Sequence, residues 1–104
     1  MQYVLKETEE FRKEFLKLPA NIQKRFRKQM IRLKENPFAL GKPLKGKRWL
    51  RELKNKKFRV YYMIIEEDVL VLLISVSDKK HQQKVIDAII DYINETKYIK
   101  NQKG

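Results

Sequence analysis

An α+β domain in the order β-α-α-β-β-β-α is what this sequence predicts, and three observations carry that reading. Two early stretches repeat apolar residues at helical spacing. Three strand-like runs then follow between residues 49 and 76, joined by links of hairpin length, and an isoleucine-rich helix comes after them. Hairpin links imply antiparallel pairing, so the expectation is a small antiparallel sheet with the helices packed mainly on one face, leaving the other open to a large ligand. The 104 residues make one domain, 1–104, whose last residues, 99–104, are expected to fray.

The elements can be justified in order. Gln2 to Lys6 alternates Tyr3 and Leu5 against Val4, as a short strand does. Thr8 is placed to cap a helix whose first turn holds Glu9 and Glu10 against the helix dipole, with Phe11, Phe15 and Leu18 on one stripe until Pro19 breaks it. A second helix is predicted from Asn21 to Glu35. Ile22, Phe26, Met30 and Leu33 form its buried side, and Asn36-Pro37 ends it. So short a link makes the pair an antiparallel helical hairpin. Gly41, Pro43 and Gly46 punctuate the connection to the strands at Trp49–Lys54, Phe58–Ile65 and Val69–Val76. The third of these is apolar on both faces, as a central covered strand would be. Ser77 or Asp78 can cap the last helix, in which Val85, Ile86, Ile89, Ile90 and Ile93 point inward.

Charge is the strongest functional signal. The segment Asn21 to Arg59 holds 15 of the 25 lysines and arginines but only two of the 13 acids, Glu35 and Glu52, a local net of +13 against +12 for the whole chain. Charge confined to one region draws a polyanion to one face, so nucleic acid is the expected partner. The alternative is a solvated Lys-rich surface of the kind heat-adapted proteins carry.

Other classes fall away. There is no cysteine, hence no disulfide framework and no thiolate zinc site, and His81 stands alone, which excludes a histidine-rich metal centre. No cofactor is expected. The opening residues lack a signal-peptide core, and the longest aliphatic run, Val69 to Ile74, is far too short to span a bilayer. The reading is a soluble, cytoplasmic protein with no membrane role.

The tracts PLKGKRWLRELKNKKFRVYYMI and VLVLLISVSDKKHQQKVI, with the KLP turn at Lys17–Pro19 and the ENPF exit at Glu35–Phe38, resemble the RelE/ParE/HigB superfamily of toxins from type II toxin–antitoxin systems. The likeness covers nearly the whole chain. It implies the RelE-like toxin fold and a metal-independent endoribonuclease that cuts mRNA, in many members on the ribosome, by attack of the 2′-hydroxyl on the adjacent phosphate to leave a 2′,3′-cyclic phosphate. It also implies a cognate acidic RelB-like antitoxin bound in a hetero-oligomer. ParE-like members share the architecture but inhibit DNA gyrase, so a non-enzymatic inhibitor, or a relative that only binds RNA or its antitoxin, stays open as an alternative.

Residues carry over one at a time. Arg59 matches the arginine that contacts the scissile phosphate, Lys54 the basic residue closing the preceding strand, and Lys79 the cation just past the last strand. Leu50 and Glu52 occupy positions that are lysines in the best-known RelE-type enzymes, while Glu52 resembles the ELR version of this strand in HigB-like members. Val85 stands where the family has a base-stacking tyrosine, with Tyr61 or Tyr98 as possible substitutes. Some relatives place a histidine near His81. Histidine needs no tuning to act as a base near neutrality, whereas a lysine must be crowded by other cations, so His81 or Lys54 is the candidate base, with Glu52 orienting a neighbour. Lys45, Lys47, Arg48, Arg51, Lys56 and Lys57 are the candidate contacts to the RNA backbone, since phosphate binding needs charge more than geometry, and Tyr61 is the candidate RNA-stacking residue.

Overall fold

A computed structural model describes residues 2–96. It contains β1 (Val4–Glu7), α1 (Glu9–Leu16), α2 (Ala20–Glu35), β2 (Lys42–Leu44), β3 (Lys47–Asn55), β4 (Phe58–Ile65), β5 (Leu70–Asp78) and α3 (Gln82–Thr96), with a short 3-10 turn at Glu66–Asp68. One sheet runs β1-β5-β4-β3-β2. The α+β class and the order of the predicted elements hold, while residues 99–104 lie outside the described part.

An eight-residue helix is too short to persist alone, so α1 depends on its surroundings. Thr8 accepts a hydrogen bond from the Phe11 N–H at 3.0 Å, and Phe11 and Phe15 are buried, a contribution of about 3–6 kcal/mol for the two. Gln23 stitches the hairpin link by donating to the carbonyls of Leu16 and Leu18 at 3.1 and 2.9 Å. The two helices cover one face of the sheet, where Ile22, Phe26 and Leu33 meet Leu53, Val60, Tyr62, Leu73 and Val76.

Three features depart from the sequence reading. First, β2 forms inside the supposed connection. It is an edge strand of three residues in which Pro43 is tolerated because no further strand needs its missing N–H. Second, β1 pairs with β5 in parallel, Val4 opposite Leu70 through Glu7 opposite Leu73, so the sheet is not wholly antiparallel. Hairpin spacing could speak only for β3, β4 and β5. Third, the helices do not share a face. Ile89 and Ile93 of α3 pack on Leu50, Tyr61, Met63, Leu72 and Ile74 on the other side, which uses the second apolar face of β5.

An irregularity in β5 positions the site. Tyr61 pairs with Ser75 but Tyr62 with Leu73, so Ile74 is an extra residue opposite nothing. The bulge reverses alternation: Ile74 packs on the α3 side, while Val76 joins the hairpin side and Ser77 turns toward Tyr61. Thr8 fixes it by donating its hydroxyl to the Ile74 carbonyl at 2.6 Å. At the strand's other end, Val69 is not extended but left-handed, at φ +50°, closing the 3-10 turn.

Candidate active site

The end of the sheet formed by the last residues of β3, the first of β4 and the last of β5 gathers most of the predicted chemistry. Across β3 and β4, Lys54 is opposite Arg59 and Glu52 opposite Tyr61, and across β4 and β5 Arg59 is opposite Ser77. Register thus brings Lys54, Arg59 and Ser77 into one row. Lys79 follows immediately after β5, exposed, and His81 stands just before α3.

Arg59 is the centre of this row, and it is buried at 6% exposure. Its Nη1 donates to the carbonyls of Lys56 and Phe58 at 3.4 and 3.5 Å, near the limit of a useful bond. Its Nε lies 4.0 Å from Glu52 Oε1, an ion-pair distance but not a hydrogen bond, and that buried nitrogen has no hydrogen-bond partner among the described residues. Most buried donors are satisfied, and an unused one on a guanidinium is chemically suited to an anion's oxygen or to a water. Lys56 adopts φ +54° in the β3–β4 turn, which aims its carbonyl at Arg59.

Beneath the arginine, the Tyr61 and Ser77 hydroxyls are 2.8 Å apart. Burial raises the Tyr61 pKa above its ordinary value; the Ser77 bond and Arg59 pull it back, while Glu52 and Asp78 push it further. One hydroxyl therefore senses Glu52, Arg59 and Asp78 together, which places all three in one neighbourhood.

The entry to α3 is a second small constellation. Asp78 Oδ1 accepts the His81 backbone N–H at 2.8 Å and lies 2.8 Å from His81 Nδ1. Those bonds, the backbone one first, hold the Asp78 carboxyl below its ordinary pKa, with a lesser contribution from Lys57. A proton on Nδ1 directed at Asp78 leaves Nε2 of an exposed imidazole free to accept another.

Other predicted residues sit elsewhere. Tyr61 is fully buried under α3 rather than on an open face, so it supports Ser77 instead of offering a stacking platform. Arg51 turns to the hairpin side, where it donates to Tyr62 Oη and to the carbonyls of Phe38 and Leu40, bracing the loop before β2. Lys45 and Lys47 line a groove of about 420 Å³ with Gln83 and Asp87 of α3. Arg48 is exposed on β3, and Lys57 lies over the Phe58 ring at 5.4 Å. Val85 is partly buried on α3, and Tyr98 lies outside the described residues. Sequence reasoning missed Ser77 as a site residue because the bulge that turns it inward leaves no mark on composition. It also missed Gln82, whose Nε2 donates to Glu52 Oε2 at 3.3 Å across 30 residues of chain.

Residues 13–97 match the family described as phage derived protein Gp49-like (DUF891). The chain belongs to this RelE-like family. It is 26% identical over 91 residues to mRNA interferase toxin RelE of Escherichia coli, across 86% of this chain and 96% of that one. Among solved structures, a double arginine-to-alanine mutant of E. coli toxin RelE in the free state superposes with a TM-score of 0.75 at 28% identity, covering 89% of this chain and 99% of its own. The toxin in the intact E. coli RelBE toxin-antitoxin complex gives 0.65 at 29% identity, over 73% and 95%. The Gp49-like match spans α2, the whole β2–β5 run and α3, so every residue of the Arg59 row falls within it.

Proposed function

We propose that this Gp49-like protein is the toxin of a type II toxin–antitoxin pair and cleaves mRNA, on the ribosome, without a metal. The observation that carries the reading is Arg59: a buried guanidinium whose Nε has no hydrogen-bond partner among the described residues, directly opposite Lys54 on one side and Ser77 on the other. Such a group can grip a phosphodiester that acquires charge in the transition state. The 2′-hydroxyl attacks the adjacent phosphorus, its proton passes to His81 Nε2 or to Lys54, and the 5′-oxygen leaves with a proton from a neighbouring cationic acid such as Lys79. The product is a 2′,3′-cyclic phosphate and a free 5′-hydroxyl. The similar chain solved in the intact E. coli RelBE toxin-antitoxin complex supports an antitoxin as partner; on this reading it is an acidic RelB-like protein that forms a hetero-oligomer with the toxin in the cytoplasm.

The test is to incubate the purified protein with translating ribosomes and map new 5′ ends. Cuts within the message that vanish in Arg59→Ala are expected. A second reading draws on Leu50, which is fully buried where the resemblance implies a catalytic lysine. In that case gyrase supercoiling stops while messages stay intact.

A further inference from the structure

We propose that Glu52 is a resident counter-ion holding the anion position of Arg59 until a phosphate of the RNA displaces it. The inference rests on the reading of Arg59 as a phosphate ligand. Glu52 is the more accessible of the pair, its side chain 19% exposed against 7% for Arg59, so solvent and solutes reach the carboxylate more readily than the guanidinium. An anion that reaches Arg59 Nε must share that position with a carboxylate already 4.0 Å away.

The carboxylate is held from two directions and gripped tightly from neither. Oε1 stands 4.0 Å from Arg59 Nε, and Oε2 accepts from Gln82 Nε2 at 3.3 Å. The first distance exceeds hydrogen-bond reach and the second is long. Gln82 opens α3 and Glu52 lies within β3, so the carboxylate bridges a helix and a strand that come from distant parts of the chain. It neutralises the arginine without satisfying it, because Nε keeps its unused donor. A phosphate carries oxygens in several directions and can engage Nε and an Nη together, which the tethered carboxylate does not.

This arrangement makes the site selective for ligands with more than one point of attachment. A lone anion must evict Glu52 with the energy of one contact, whereas an RNA strand also engages the lysines around the row. Leakage of the buried cation to small cellular anions is thereby suppressed.

The experiment measures binding of an oligoribonucleotide that is 2′-O-methylated throughout, and so cannot be cut, at fixed salt. Glu52→Gln keeps the size and a polar partner for Gln82 but removes the charge. The expected result is about tenfold tighter binding, with the same gain in Glu52→Ala in case the amide refolds the local bonds. Glu66→Gln, which removes an equal charge from the exposed 3-10 turn, should change affinity less than twofold. In the Arg59→Ala background the gain from Glu52→Gln should vanish. Equal gains from Glu52→Gln and Glu66→Gln, or a gain that survives without Arg59, would overturn the counter-ion role while leaving Arg59 a ligand. Unchanged binding in Arg59→Ala alone would instead sink the reading beneath it.

Discussion

Tyr61 and Ser77 share a hydrogen bond of 2.8 Å that exists only because β5 carries one extra residue, Ile74, between the partners of Tyr61 and Tyr62. Without the bulge Ser77 would face the helical hairpin, and the row opposite Arg59 would end in an apolar side chain. Thr8 holds the bulge through the Ile74 carbonyl, so the cap of α1 and the floor of the candidate site depend on one threonine hydroxyl.

Replacing Tyr61 with phenylalanine should therefore cost about 1–3 kcal/mol, the range for leaving a buried polar partner unpaired, here the Ser77 hydroxyl. It should also change the alkaline limb of stability. Burial raises the Tyr61 pKa in the folded protein, so its stabilising contribution is complete below the unfolded value of about 10 and is lost as pH climbs through the folded one. Chemical denaturation across pH 9 to 12 should show a shallower alkaline decline in Tyr61→Phe. Tyr62, raised mainly by its own burial, will still contribute a decline.

Much of this was legible in the letters, and what was not has a physical reason. Phe11, Phe15, Ile22, Phe26 and Leu33 sit in the core as their helical spacing predicts, and Phe58–Ile65 is β4. Local periodicity reports which face of an element is apolar, but not what covers it. That is why α3 was expected beside the hairpin when it packs on the opposite side, and why Tyr61 was expected in the open. The family resemblance, not the charge pattern, singled out Arg59, Lys54 and Lys79, whose backbone positions lie at one end of the sheet; the charge pattern spoke only for the Asn21–Arg59 segment as a whole. It could not separate Arg51 from the RNA candidates, because its bonds to Tyr62, Phe38 and Leu40 are tertiary facts.

Gly41 should not accept a side chain. Its φ of +68° is left-handed, and a Cβ there would stand 2.6 Å from Tyr62 Oη and 2.7 Å from the Glu52 carbonyl oxygen. Tyr62 cannot easily yield, since its single hydroxyl proton is shared between the Leu40 carbonyl at 2.8 Å and the Pro37 carbonyl at 3.1 Å. Strain and overpacking together should make Gly41→Ala about 2–4 kcal/mol less stable. Gly46→Ala is the comparison, because it has a similar φ of +79° but open space around the added atom. Thermal melts of the two variants should rank them in that order.

Asp78→Asn should loosen the entry to α3 and free the imidazole of His81. The carboxyl is held below its ordinary pKa chiefly by the backbone N–H of His81. A depressed carboxyl contributes stability that is present above the unfolded value of about 3.9 and lost as pH falls through the folded one. The wild type should thus lose protection at the first turn of α3 below about pH 4, and the variant should lack that acid step. Amide exchange at Val85, whose N–H bonds the His81 carbonyl at 3.1 Å, is the direct readout.

The last prediction concerns the outlying lysines. Lys45, Lys47 and Arg48 flank the β2–β3 turn, away from the Arg59 row, so they can add affinity for an RNA strand without taking part in bond cleavage. Each phosphate contact on a single strand adds about 0.7 to the slope of log affinity against log salt. Changing all three to glutamine should lower that slope by about 2, weaken binding at low salt, and leave the rate at saturating RNA nearly unchanged. Arg59→Lys should do the reverse: the slope stays, because the charge remains, while the rate falls about 10²- to 10³-fold with the loss of the planar two-point grip. Titrations at four salt concentrations, paired with single-turnover cleavage, separate charge that gathers the strand from the guanidinium that acts on it. An unchanged slope in the triple variant would mean that the phosphates run elsewhere.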